Sequence, residues 1–109
     1  MVRQGDIIKL NLSPTAGHEQ DGYRPAVVVS NDFAISRTNM VFVAPITSRI
    51  RSEFPLHVAL DERTQTRGDI LCEQVKAVDL RARAFTVVER LPEDILESVL
   101  TCIIACFDN

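Results

Sequence analysis

The sequence predicts a small, mainly β domain in which a curled antiparallel sheet or barrel is closed by one C-terminal α-helix. Several short runs of alternating or β-branched residues are separated by turn signals, which is typical of strands joined by short connections. A broad apolar stripe at helical spacing appears only after residue 92. A length of 109 residues is ordinary for one domain, so we expect a single domain over residues 1–109.

The composition excludes several other classes of protein. Hydrophobic residues make up 46% and charged residues 25% of the chain, as in globular proteins, and no stretch approaches the ~20 apolar residues that span a bilayer. The N-terminal segment has an acid at Asp6 and does not resemble a signal peptide. Three cysteines, an odd number, suit a reducing compartment. We therefore expect a cytoplasmic protein.

Three strands are predicted in the first half of the chain. Residues 5–12 alternate apolar and polar side chains, the period of a half-buried strand. Residues 24–30 contain a β-branched run that favours a well-buried strand, and residues 31–37 are a helical turn or loop. A third strand covers residues 40–46 and ends at Pro45 or just beyond.

The second half continues with shorter elements. We predict a short strand at 55–60, a polar turn at 61–67, a strand at 69–75, a helical turn at 79–84 and a last strand at 86–90.

The C-terminal helix has the clearest pattern. Pro92 is predicted at the first helical position, and Glu93 and Asp94 in the first turn suit a helix start. The apolar stripe is wider than one small sheet needs, so its outer side is either core or an interface with a second subunit. Its residues are Ile95, Leu96, Val99, Leu100, Ile103, Ile104 and Phe107.

Two polar segments at strand ends are candidate sites. The loop before Arg24 carries an imidazole, two carboxylates and a carboxamide, and Pro25 biases Arg24 toward an extended conformation at a rigid strand mouth. The second segment is 47–49, directly after the third strand. The acid–base and phosphate-contacting groups at strand ends are His18, Glu19, Arg24, Thr47, Glu73 and Gln74. Each also has an ordinary structural explanation, so the residues alone leave both interpretations open.

The distribution of charge matters more than the net value of −3. Residues 89–109 contain five acids and one base, a balance of −4, which leaves +1 for residues 1–88. Ten of the twelve bases are arginine, whose planar fork suits phosphate, although a genome rich in G and C would give the same excess. His18 and His57 form no recognised metal motif, and neither a Gly-rich phosphate loop nor a nucleophile elbow is present. We expect no metal or other cofactor.

Three segments resemble successive signatures of the MazF/PemK (Kid) family of toxin endoribonucleases. They are SPTAGHEQDGYRPAVVVS at 13–30, APITS at 44–48 and CEQVKAVDLRAR at 72–83. The resemblance implies an SH3-like barrel with a C-terminal helix, assembled as a homodimer. It further implies metal-independent cleavage of single-stranded RNA at short motifs, with 2′,3′-cyclic phosphate and 5′-hydroxyl ends, and inhibition by a cognate antitoxin.

The resemblance also implies residue roles. Arg24 matches the signature arginine and would stabilise the phosphate, and Thr47 would donate to a nonbridging oxygen. Glu73 aligns with the carboxylate proposed as general base, Glu19 is a second candidate, and His18 would assist. The RNA-binding residues would be Gln20, Ser48, Arg49, Arg51, Gln74, Lys76 and Arg83, with Arg81 as a further phosphate contact.

The sequence departs from the family pattern at two positions. Leu71 stands where the PemK branch has an arginine, so that branch's general acid cannot be transferred to this chain. Lys76 replaces an arginine of some members, which keeps the charge without a bidentate contact. Two alternatives stay open: a CcdB-like gyrase poison, although the chain lacks tryptophan and ends Phe107-Asp108-Asn109, and a non-catalytic RNA-binding barrel.

Overall fold

The computed structural model describes residues 1–12, 22–49 and 55–108. The elements are β1 (Asp6–Asn11), β2 (Tyr23–Val28), α1 (Asp32–Thr38), β3 (Val41–Thr47), β4 (His57–Ala59), β5 (Asp69–Leu71), a 3₁₀ turn (Cys72–Gln74), β6 (Lys76–Val78), β7 (Phe85–Arg90) and α2 (Glu93–Ala105). The predicted fold class, mainly β with antiparallel strands and a C-terminal helix, is confirmed.

All strand pairings of the sheet are antiparallel. The strand order is β4-β5-β3-β2-β1-β7, and β6 pairs with the first part of β3. The first strand of the chain therefore lies between β2 and the last strand, with a register shift between Ile7 and Ile8 where β1 meets β7. The long strands β2 and β3 therefore lie at the centre of the strand order.

Both faces of this sheet carry buried side chains. Ile7 and Val27 lie in one core cluster with Val99 of α2. Their sequence neighbours Ile8 and Val28 lie in a second cluster on the other face. Since successive side chains of a strand point to opposite faces, α2 covers one side of the sheet and the second cluster fills the other.

Several predicted boundaries were wrong. The strand predicted at 69–75 ends at Leu71, because Cys72–Gln74 form a 3₁₀ turn and a new strand, β6, begins at Lys76. Residues 79–84, predicted as a helical turn, contain a turn in which the Ala82 N–H donates to Asp79 O at 3.0 Å.

Both helices have identifiable ends. Asn31 caps α1 by accepting the Ala34 N–H at 2.8 Å, and Asn39 ends α1 in the left-handed region at φ 59°. Pro92, predicted at the first helical position, is the N-cap of α2, so the helix begins one residue later, at Glu93. No helix in the described part of the chain has the length and apolar character needed to cross a membrane.

The two sides of α2 differ in burial. Ile95, Leu96 and Val99 are buried against the sheet, whereas Ile104 is 59% and Phe107 82% exposed. The predicted apolar stripe is thus divided into an inner part that belongs to the core and an outer part that does not.

Candidate active site

The strand pairing brings three polar residues together at adjoining strand ends. Two of them were predicted site residues and the third was not. The β2–β3 ladder ends with Ala26 opposite Pro45, and Arg24 and Thr47 each lie two residues beyond that pair on their own strands. The β3–β5 ladder then pairs Thr47 with Asp69. Side chains two residues apart on a strand share a face, and so do directly paired residues, so Arg24, Thr47 and Asp69 lie on one face at the ends of three neighbouring strands; these three residues are called the row.

This row lies on the face of the sheet opposite α2. Ile46 precedes Thr47 in β3, and Ile70 follows Asp69 in β5. Both isoleucines pack in the cluster beneath α2. Because side chains alternate along a strand, Thr47 and Asp69 point to the other face. The acids of α2 are therefore separated from the row by the thickness of the sheet.

Thr47 is held at a sharp change of chain direction. Its side chain is buried, and its Oγ1 accepts the Arg49 N–H at 3.2 Å. Ser48 and Arg49 are exposed beside it. A hydroxyl oxygen that accepts one hydrogen bond keeps its own proton for donation to a ligand. The Thr47 hydroxyl can therefore donate a hydrogen bond to a ligand.

Gly68 allows β5 to begin directly against this turn. Its φ is +123°, and a Cβ at this position would lie 1.9 Å from Thr47 O. Only a residue without a Cβ fits there. Gly68 was not among the predicted site residues. Its place between a polar turn and a buried strand is the feature of the sequence that indicates its structural importance.

Glu73 is connected to the row through a histidine. The His57 Nε2 lies 3.2 Å from Glu73 Oε2, and the His57 Nδ1 lies 3.9 Å from Asp69 Oδ2. Glu73 is the middle residue of the 3₁₀ turn, and His57 is the cross-strand partner of Leu71. Neither His57 nor Asp69 was predicted to belong to the site. No periodicity in the sequence identifies them, because each is the first residue of a strand only three residues long.

The cysteine beside Glu73 has a structural role. Burial raises the pKa of the Cys72 thiol, and the neighbouring Cys102 and Glu73 raise it further. A thiol with a raised pKa is a poor nucleophile. Cys72 accordingly packs as part of the core, in keeping with its place in the cluster beneath α2.

Basic residues surround the open end of β2. Arg83 donates to Asn11 O, and Lys76 Nζ lies 3.4 Å from Leu12 O. Arg83 also lines a cleft of about 500 Å³ together with the exposed Tyr23, next to Arg24 in the chain. Gln74 is half-buried at the end of the 3₁₀ turn.

Arg81 differs from the other predicted phosphate contacts. Its Nε lies 3.2 Å from Asp79 Oδ1. This contact raises the pKa of Arg81 and lowers that of Asp79. A ligand phosphate would compete with that carboxylate.

Four of the predicted site residues, His18, Glu19, Gln20 and Arg51, lie outside the described residues. Across residues 1–12, 22–49 and 55–108, no group of three or more His, Cys, Asp or Glu side chains is arranged to hold a metal ion.

The fold and the site define a class: small β-domain proteins with a cation, a hydroxyl donor and a carboxylate at adjoining strand ends, a set suited to a phosphate group. Within that class, the family model described as PemK-like, MazF-like toxin of type II toxin–antitoxin system matches residues 3–107. The chain belongs to this family, so the resemblance seen in the sequence is confirmed.

Individual relatives agree with this assignment. The chain is 35% identical over 102 residues to the Escherichia coli protein named endoribonuclease PemK, covering 91% of this chain and 77% of that protein. The crystal structure of MazF (Form-I) from Deinococcus radiodurans superposes with a TM-score of 0.88 at 30% identity, over 97% of this chain and 96% of that one. A MazE–MazF structure (Form-II) from the same organism gives a TM-score of 0.81 at 30% identity, over 97% and 95%.

Proposed function

We propose that this chain is the endoribonuclease toxin of a toxin–antitoxin pair. It cleaves single-stranded RNA at a short sequence motif, without a metal ion, and leaves 2′,3′-cyclic phosphate and 5′-hydroxyl ends. The observation that carries the proposal is the row of Arg24, Thr47 and Asp69, joined to Glu73 by His57. The E. coli relative, named an endoribonuclease, supports the class of reaction.

Cleavage to a cyclic phosphate is an attack by the 2′-hydroxyl of RNA on the adjacent phosphorus. The reaction needs a base for the 2′-hydroxyl proton, an acid for the leaving 5′-oxygen, and donors for the negative charge on the phosphorane. The 2′-hydroxyl is supplied by the substrate, so the protein needs no nucleophile of its own. This accounts for a site composed of cations, a hydroxyl and carboxylates.

Arg24 and Thr47 stabilise the phosphate in this mechanism. The Arg24 guanidinium offers two parallel N–H donors, which match two phosphate oxygens. Thr47 donates its hydroxyl proton to a nonbridging oxygen, since Oγ1 already accepts the Arg49 N–H. Pro25 and the Thr47 turn keep both groups in place before RNA binds, which reduces the reorganisation needed in the transition state.

Glu73 is the proposed general base. Its side chain is 29% exposed, so substrate can reach it, and one carboxylate oxygen is already held by His57. Glu19 is a second candidate for the base and His18 an assisting group, both by resemblance.

RNA is proposed to lie along the face opposite α2. Ser48 and Arg49 at the end of β3 and Arg83 beside Tyr23 would contact it, with Gln20, Arg51, Gln74 and Lys76 as further contacts. Because these contacts are made largely to phosphate, binding is expected to weaken with salt despite the pI of about 5.3.

The partners are also proposals. A cognate antitoxin would cover Arg24, by analogy with the MazE–MazF pair of D. radiodurans. A homodimer would bury exposed apolar groups such as Ile104 and Phe107 of the C-terminal segment. We place the toxin in the cytoplasm, where its substrate is found.

The test is incubation of the purified protein with a long single-stranded RNA in EDTA, followed by mapping of fragment ends. Wild-type protein is expected to make discrete cuts with cyclic phosphate ends. Arg24→Ala and Thr47→Ala should each lose about 100-fold or more of the cleavage rate, as when a charge-stabilising donor is removed. Arg37→Ala is the matched control, because that arginine stacks on Phe33 of α1, 4.8 Å from its ring centroid, and should cut normally.

Two results would contradict the proposal. RNA that is bound but never cut would identify a non-catalytic RNA-binding barrel. Cuts that persist undiminished in both Arg24→Ala and Thr47→Ala would place the active site elsewhere.

A further inference from the structure

We propose that His57 is a positioning residue that acts on RNA cleavage through Glu73. The inference rests on the proposed function, in which Glu73 is the general base. It starts from one contact: the His57 Nε2 is placed to donate to Glu73 Oε2 at 3.2 Å. A hydrogen bond to a charged acceptor is among the stronger ones in proteins.

The burial of the two side chains assigns their roles. The His57 side chain is 9% exposed, whereas that of Glu73 is 29% exposed. Substrate can therefore reach the carboxylate but has little access to the imidazole. His57 acts from behind Glu73 and does not itself contact the reacting atoms.

The second ring nitrogen of His57 faces another acid. Asp69 Oδ2 lies 3.9 Å from His57 Nδ1, within ion-pair range but longer than a hydrogen bond, and the Asp69 side chain is 1% exposed. The ring thus lies between a buried carboxylate and a partly exposed one.

The strand pairing shows why this position matters. His57 pairs across the strands with Leu71, which is buried and offers no polar side-chain group. In the described part of the chain, His57 is the only side chain that hydrogen-bonds the Glu73 carboxylate. Without it, a partly exposed glutamate would sample several rotamers. With Oε2 held, Oε1 remains for the 2′-hydroxyl proton.

The experiment is a double-mutant cycle on RNA cleavage. His57→Phe keeps a ring but removes the donor, His57→Gln restores an N–H donor, and Glu73→Gln removes the base. Glu97→Gln, an exposed acid-to-amide change on α2, is the matched control. Each variant is measured for kcat, KM and thermal unfolding.

We expect His57→Phe to lower kcat about 10- to 100-fold with KM nearly unchanged, as for the loss of one hydrogen bond to a charged group. His57→Gln should recover part of that loss. In the Glu73→Gln background, His57→Phe should lower the residual rate less than about twofold, because positioned and unpositioned glutamine are equally unable to act as a base.

A readout without RNA tests the contact itself. The His57 Nε2 resonance in a ¹H–¹⁵N spectrum should move in Glu73→Gln and stay in place in Glu97→Gln. This measurement needs no substitution at His57, so it stands even if His57→Phe folds poorly. An unmoved resonance would overturn the inference.

The kinetic outcomes separate this inference from the proposed function. Normal kcat in His57→Phe, with Glu73→Gln inactive, would overturn the role of His57 and leave the nuclease intact. Equal losses from His57→Phe in both backgrounds would show that His57 does not act through Glu73. Normal cleavage by Glu73→Gln would instead refute the assignment of the base, and the role of His57 with it.

Discussion

Replacing Gly68 by alanine tests how the end of β3 is held. A residue with a Cβ at φ +123° is strained by about 1–2 kcal/mol. The new Cβ would also lie 1.9 Å from Thr47 O and 2.8 Å from Thr47 C, both backbone atoms that no rotamer change can move. Relief requires a shift of β3 against β5, comparable to an overpacked core at about 1–3 kcal/mol. The expected loss of unfolding free energy is the sum, about 2–5 kcal/mol.

Gly22→Ala is the matched control for this substitution. Gly22 also has a positive φ, +81°, but the described residues leave open space around a Cβ there. We expect thermal unfolding to shift by about 10–20 °C in Gly68→Ala and by about 4–8 °C in Gly22→Ala. Below its transition, Gly68→Ala should also cleave RNA more slowly, because Thr47 and Ser48 are displaced. Equal shifts in the two variants would refute the assignment of the extra loss to the contact with Thr47.

Two further predictions concern stability. Glu89 accepts hydrogen bonds from Gln65 and Thr66; its partial burial alone would raise its pKa, but these bonds outweigh burial and hold the pKa below the ordinary 4.5. Because the folded pKa is the lower one, this stabilisation is present above about pH 4.5 and lost as the pH falls through the folded value, so Glu89→Gln should flatten the fall of Tm with acid. Val99→Ala, at a fully buried position on the inner side of α2, should lower the free energy of unfolding in urea by about 1–3 kcal/mol; an equal loss in Ile104→Ala would place Ile104 in a subunit interface.

The sequence was most informative where one periodicity runs through many residues. The long strands and α2 were placed within one or two residues, because alternation and helical spacing persist over six or more positions. The boundaries between residues 69 and 78 were not predicted correctly, because Cys72–Gln74 contain no Gly or Pro to mark the end of β5. Three-residue strands such as β6 are too short for a period to be visible.

The residues of the candidate site also differ in how far the sequence could predict them. Arg24 and Thr47 could be selected because each stands at the end of a recognisable strand, and Glu73 because of the resemblance. His57 and Asp69 could not, since their contact depends on the register of β4 against β5. That register consists of three residue pairs, and β5 follows directly on Gly68. Gly68 lies against Thr47, which is 21 positions away in the chain.

The pairing of β1 with β7 bears on how the protein is made. A nascent chain still lacking residues 85–105 has no partner for one edge of β1 and no helix to cover Ile7 and Val27. Contacts between such distant residues form late and together with the rest of the sheet. Arg24 and Thr47 are aligned by that same sheet. For an enzyme of the proposed kind, almost the whole chain must therefore be synthesised before the protein can cut any message, including the one that encodes it.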